Sequence, residues 1–238
     1  MNLTERFIKY VKIDTESDAK SNTYPTTMKQ FDLAHVLVDE MKEMGIADAH
    51  VDEYGVVYGS IPANTDKEYD TIGFIAHMDT SPDMCGKDVK PRIIENYDGS
   101  VIVLNEDLNI TMDPEVYPSL NNHVGQDLIV TDGTTLLGAD DKAGIAEIMD
   151  MCKRVLESNV EHGAIKIAFT PDEEVGKGPD NFDVEKFAAD FAYTVDGGAI
   201  DSIDFENFNA ASAVVHIQGS SIHPGSAKHK MRNALHMG

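Results

Sequence analysis

Four short clusters in this chain hold residues able to do chemistry, and each lies just past an apolar run. His77-Met78-Asp79 follows Ile72-Gly73-Phe74-Ile75-Ala76, and Asp140-Asp141 follows Leu136-Leu137. Glu173-Glu174 follows Ile165-Lys166-Ile167-Ala168-Phe169-Thr170, and Asp196 follows Phe191-Ala192-Tyr193-Thr194-Val195. One imidazole with several carboxylates is the donor set that a pair of divalent cations needs, one carboxylate bridging them. Zinc takes both imidazole nitrogen and carboxylate oxygen, and a catalytic site keeps a position for water. In that scheme His77 is a metal ligand, and Asp79, two residues on, faces the same side and orients its ring. Asp140 bridges, while Glu174 and Asp196 each close one metal. Glu173 has no cation of its own and is free to act as general base on metal-activated water.

Taken singly, each cluster has an ordinary reading. Asp140-Asp141 opens an amphipathic helix, where carboxylates cap and complement the helix dipole. Glu173-Glu174 after Pro171-Asp172 would suit a solvated turn. Their shared position is the specific signal, because the carboxyl ends of parallel strands converge on one crevice.

The elements that must position these residues are legible as a strand–helix alternation. Residues 3–12 form a short helix with a capping box from Asn2 and Glu5. Residues 26–44 form a longer one, with Met28, Phe31, Ala34, Leu37, Val38, Met41 and Met44 on one face and Gly45 as its stop. A hairpin is predicted over 51–60, and strands at 71–76, 128–130, 164–169 and 191–195. Helices are predicted at 141–158 and 183–189. Residues 93–94 and 101–104 read as a hairpin around Asp98-Gly99. The whole implies a three-layer α/β domain with a mainly parallel central sheet. Beyond Asp196 the pattern changes. Residues 203–207 and 213–218 alternate as strands, and residues 227–237 begin a helix.

Composition narrows the classes. The 238 residues carry 42 acidic and 19 basic side chains, a net charge of −23, which argues against nucleic acid and anionic membrane surfaces as partners. No apolar run is long enough to span a bilayer. Two cysteines imply no disulfide framework, and the N-terminus lacks a signal-peptide pattern, so a cytoplasmic location is expected. His35, His50, His123, His162 and His216 read as surface or core residues, and Cys85 as an ordinary thiol.

In their order, Ala76-His77-Met78-Asp79-Thr80, Gly138-Ala139-Asp140-Asp141-Lys142-Ala143-Gly144, Pro171-Asp172-Glu173-Glu174-Val175-Gly176 and Val195-Asp196-Gly197-Gly198 resemble the motifs of the co-catalytic zinc M20 metallopeptidases. The resemblance runs from the first helix to the end of the chain. It implies two zinc ions per complete site, with His77 and Asp196 on one, Glu174 on the other, Asp140 as bridge, Asp79 as orienting carboxylate and Glu173 as base. It also implies a cis Asp140–Asp141 bond. Ser221-Ile222-His223-Pro224-Gly225 resembles the opening of the family's inserted α+β lid, or dimerisation domain, whose histidine helps bind substrate, so a homodimer is an expected state. The catalytic domain is then 1–207, and 208–238 begins the lid. The family's last histidine ligand lies after the lid and matches neither His229 nor His236. The chain is therefore expected to be the first part of a longer enzyme, with a weakened second metal site. The likeness is nearest the family's tripeptide aminopeptidases, which remove the N-terminal residue of small peptides. The alternatives are another M20 hydrolase (dipeptidase, carboxypeptidase or N-acyl-amino-acid deacylase) or an inactive metal-binding fragment.

Overall fold

A computed structural model describes residues 1–198, 202–207, 209–211 and 213–238. It divides into two units, Met1–Gly198 and Ala199–Gly238.

The first unit is built on a five-stranded sheet. Its strands are β1 (His50–Val51), β2 (Val57–Ile61), β3 (Ile72–His77), β8 (Ile165–Thr170) and β9 (Phe191–Thr194), in the order β1-β2-β8-β3-β9. β3 pairs in parallel with both β8 and β9, whereas β2 runs antiparallel to β1 and to β8. The sheet is thus mixed, parallel on one side only. Along β2 and β8 the side chains alternate between two apolar clusters. Val57, Ile61, Ile165, Ile167 and Phe169 face three helices, α1 (Leu3–Val11), α2 (Gln30–Glu43) and α3 (Ala139–Glu157). Val56, Tyr58 and Ala168 face Phe187 of α4 (Val184–Phe187). Helices on both faces make three layers.

Local signals account for most boundaries. Asn2 and Glu5 close the predicted capping box of α1, with bonds of 2.8 and 2.9 Å. α2 starts at Gln30, four residues later than its apolar spacing suggests, because Thr26 is committed to Asp172 through both its N–H and its hydroxyl. α3 opens at Gly138 (φ +78°), a left-handed turn that suits glycine.

Between β3 and α3 the expected pairing is wrong. Residues 93–94 and 101–104 do not form a hairpin with each other. β4 (Arg92–Ile94) pairs instead with β7 (Leu128–Val130), and β5 (Ile102–Asn105) with β6 (Ile110–Met112), both antiparallel. Asp98-Gly99 does turn the chain, but Tyr97 bonds with residues 125 and 126, which extends the β4–β7 ladder past Ile94. β7 consequently lies outside the central sheet. A third apolar cluster (Tyr97, Ile102, Leu120) holds this subdomain together.

In the unit Ala199–Gly238 the described residues contain neither the strands expected at 203–207 and 213–218 nor the helix expected over 227–237. They hold an isolated bridge between Ser220 and Arg232 and two 3-10 turns, Pro224–Ser226 and Ala234–His236. Phe205 and Leu235 are each 90% exposed, so the alternating pattern has nothing to bury against.

Candidate metal centre

His77 ends β3, and Met78 donates its N–H to the Thr170 carbonyl at 2.8 Å, continuing the parallel ladder past both strands. Val195 does the same on the other side, donating to Ile75 at 2.7 Å, which brings Asp196 beside His77. Three strand ends therefore meet, and the start of α3 adds Asp140. The Asp140–Asp141 peptide bond is cis.

The side chains converge on His77 Nε2. Asp140 Oδ1 lies 2.8 Å from it, and Glu173 Oε2 and Asp196 Oδ2 each lie 3.9 Å away. Two groups of ligand atoms fall within 4.8 Å of one another: His77 with Asp140 and Glu174, and His77 with Glu173 and Asp196. Glu173, expected to stand apart from the cations, thus has an oxygen in the second group. Asp79 is fully buried behind the ring, its Oδ1 3.3 Å from His77 Nδ1. The same carboxylate accepts the Glu173 N–H at 2.9 Å and the Glu174 N–H at 3.2 Å. His223 belongs to the other unit, where its Nδ1 accepts the Gly225 N–H at 3.2 Å.

The electrostatics follow from this crowding. Burial alone would lower the His77 imidazole, but the hydrogen bond and charge of Asp79, with Asp141 and Asp140, raise it to about 10. Burial raises Glu173 and Glu174, and the surrounding carboxylates raise them further. The centre is rich in negative charge and open on one side, with the Asp140 side chain 70% exposed and that of His77 only 3%. One imidazole nitrogen with several carboxylate oxygens at this spacing suits a borderline divalent cation such as zinc. A cavity of about 360 Å³ beside Asp140 and Asp196 is bounded by Ala143, Gly144 and Glu147.

Three neighbours escaped the sequence reading. Asp141 is buried, accepts the His77 N–H and the Gly144 N–H, both at 3.2 Å, and is pushed by burial up to about 8. Lys142 is buried and donates to the Ile13 carbonyl at 2.7 Å, pinning the start of α3 to the segment after α1. Asp172, also buried, anchors the turn that carries Glu173 and Glu174. Only their adjacency to the reactive residues marks them in sequence.

No protein-family model matches the chain. Peptidase T of Caldanaerobacter subterraneus subsp. tengcongensis is 58% identical over 237 residues, covering 99% of this chain and 58% of the relative. Peptidase T of Alkaliphilus oremlandii is also 58% identical over 237 residues, covering 98% of this chain and 58% of that protein. Among solved structures, aminopeptidase PepT from Bacillus cereus matches with a TM-score of 0.59 and 24% identity, over 99% of this chain and 54% of that chain. That likeness shows a shared fold. The chain spans little more than half the length of the curated relatives it matches. Over that span the chain is similar, at 58% identity, to these two peptidase T proteins.

Proposed function

We propose that this chain carries the larger part of the active site of a metallo-aminopeptidase that releases the N-terminal residue of tripeptides. The observation that carries the reading is the convergence of Asp140, Glu173, Glu174 and Asp196, from separate strand and helix ends, into two groups of donors that share His77. The peptidase T relatives supply the reaction class. In this reading residues 1–207 are the catalytic domain and 208–238 begin a lid, where His223 contacts substrate. A cytoplasmic location and a homodimer belong to the same proposal. Among the described residues no helix is long and apolar enough to cross a membrane.

His77, Asp140 and Asp196 would hold one zinc ion, and Asp140 with Glu174 a second. Cations in such a set polarise a carbonyl and make water nucleophilic at neutral pH. Asp79, facing Nδ1, fixes the ring so that Nε2 is presented to the centre. Glu173 removes a proton from the attacking water and delivers it to the departing amine. Burial and neighbouring carboxylates raise its proton affinity, which suits a base working near neutrality.

Titration of the metal-free 238-residue chain with zinc, with Ala-Ala-Ala hydrolysis followed at each step, tests the reading. One firm site, a second weak site and slow hydrolysis are expected, because the second cation has only two carboxylates. Failure to bind any cation would overturn the assignment. Two tight sites with rapid turnover would move the missing ligand to a late histidine of this chain.

A further inference from the structure

Asp172 is wholly buried and sits at φ +61°, ψ 24°, in the left-handed region, immediately before the Glu173–Glu174 pair. Its carboxylate is held by neutral donors. Oδ2 accepts the Thr26 N–H at 2.8 Å, and Oδ1 accepts both the Thr26 hydroxyl and Gln30 Nε2, the latter at 2.7 Å. Its backbone is held as well, since its N–H donates to Gln30 Oε1 at 3.2 Å and its carbonyl accepts the Lys177 N–H at 2.9 Å. Burying a carboxylate is costly unless its oxygens are fully bonded, and here the donor set facing it specifies an acceptor. Asparagine would adopt this backbone conformation readily but would turn a donor toward one of those donors.

The geometry shows what the anchor does. The left-handed residue reverses the chain after β8, so that the next two N–H groups point at Asp79, 2.9 and 3.2 Å away. The turn is therefore gripped from both sides, by the start of α2 through Asp172 and by the end of β3 through Asp79. From that position its two side chains reach the His77 cluster.

We propose that Asp172, clamped by Thr26 and Gln30, is a positioning residue for Glu173 and Glu174, an inference that rests on reading those two carboxylates as base and ligand. Displacing Asp172 frees the turn, weakens its grip on Asp79 and moves both carboxylates away from His77.

The test uses the 238-residue chain with two readouts, amide exchange of Glu173 and Glu174 by NMR without metal, and titration with Co²⁺. Asp172→Asn should speed exchange at those two amides while leaving Ile167 in β8 unchanged, and weaken Co²⁺ binding about 10-fold or more, as for other outer partners of metal sites. Adding Gln30→Glu reverses the donor and acceptor between the two side chains, so the double variant should recover both properties. If Asp172→Asn fails to fold, Thr26→Val removes the hydroxyl bond to Asp172, along with those the hydroxyl accepts from the Asp18 N–H and Gln30 Nε2, and should move both readouts the same way, less far. The inference is overturned if Asp172→Asn lowers Tm yet leaves the two amides protected, or if the double variant recovers nothing. A parent chain that binds no Co²⁺ would sink the metal reading instead, and the amide exchange alone would then decide the role of Asp172.

Discussion

The two halves of the central sheet are made of similar residues and do different things. In the parallel half, β8, β3 and β9 end on the same edge, and at or just past those ends lie Asp172 to Glu174, His77 to Asp79, and Asp196. In the antiparallel half, β2 presents its beginning to that edge, with Val57 opposite Phe169. It contributes the turn at Tyr54-Gly55, whose packing neighbours include Pro25 and Pro171. Function therefore does not follow burial, since β9 is exposed along its length and leads to Asp196, whereas β2 is largely buried and leads to no such residue. Strand direction decides which half can gather side chains, because only parallel neighbours deliver their carboxyl ends together.

Several changes would break or sharpen that contrast. The largest effect is expected from Glu173→Gln in a longer form of the protein, where losing the base should cost about 10²–10⁴-fold in turnover with cation affinity kept. A near-normal rate would remove Glu173 from the chemistry. Asp140→Ala should weaken both cations by more than the roughly 100-fold upper range for outer partners, since it is proposed to touch each. Metal analysis that still found two ions in this variant would displace Asp140 from the bridge.

Next comes a pair of glycines, one in α3 against the strand end of the parallel half and one within the antiparallel half. A Cβ on Gly144 would stand 1.9 Å from the Val195 carbonyl oxygen, which is backbone and cannot swing aside. Gly144→Ala should cost about 2 kcal/mol and loosen cation binding as Asp196 shifts. A Cβ on Gly59 in β2 would meet the flexible end of Met41 at 2.2 Å and Ile46 at 3.0 Å. Gly59→Ala should cost about 1 kcal/mol and leave cation affinity alone. Urea unfolding and metal titration of both variants check the pair, and equal losses of affinity would erase the distinction between the halves.

The smallest effect lies far from the centre. Glu40 in α2 accepts from Arg6 Nε at 2.6 Å and from the Tyr10 hydroxyl at 2.9 Å. Burial works to raise its carboxyl, but these bonds and the Arg6 charge hold it below the usual value near 4.5. A lowered folded value means stability that is present above the unfolded value and lost as pH falls through the folded one. Thermal unfolding between neutral pH and about pH 3 should show that decline, and Glu40→Gln should flatten it. A variant with the parent's acid slope would assign the decline to other carboxylates.

Legibility from sequence followed the range of the interactions involved. The capping box of α1, the apolar runs of β3 and β8 and the glycine at the start of α3 are local, and each formed where its residues indicated. The pairing of β4 with β7 was not legible, because residues 92–94 and 128–130 lie far apart in sequence and a nearer partner offered an equally good turn. Likewise, the alternation in residues 203–207 and 213–218 carries a strand signal that depends on a covering surface.

The amino-acid sequence by itself determined which residues could serve as donors and that each would follow an apolar run, since residue type and hydrophobic period are properties of short segments. It also determined the likeness to the peptidase T relatives, through an identity of 58%. Tertiary structure alone decided the 2.8–3.9 Å spacing around His77, the mixed direction of the sheet and the hold of Asp172 on Thr26 and Gln30. Those depend on contacts between residues 63 to 146 positions apart in the chain, and a distance between remote side chains has no local signature.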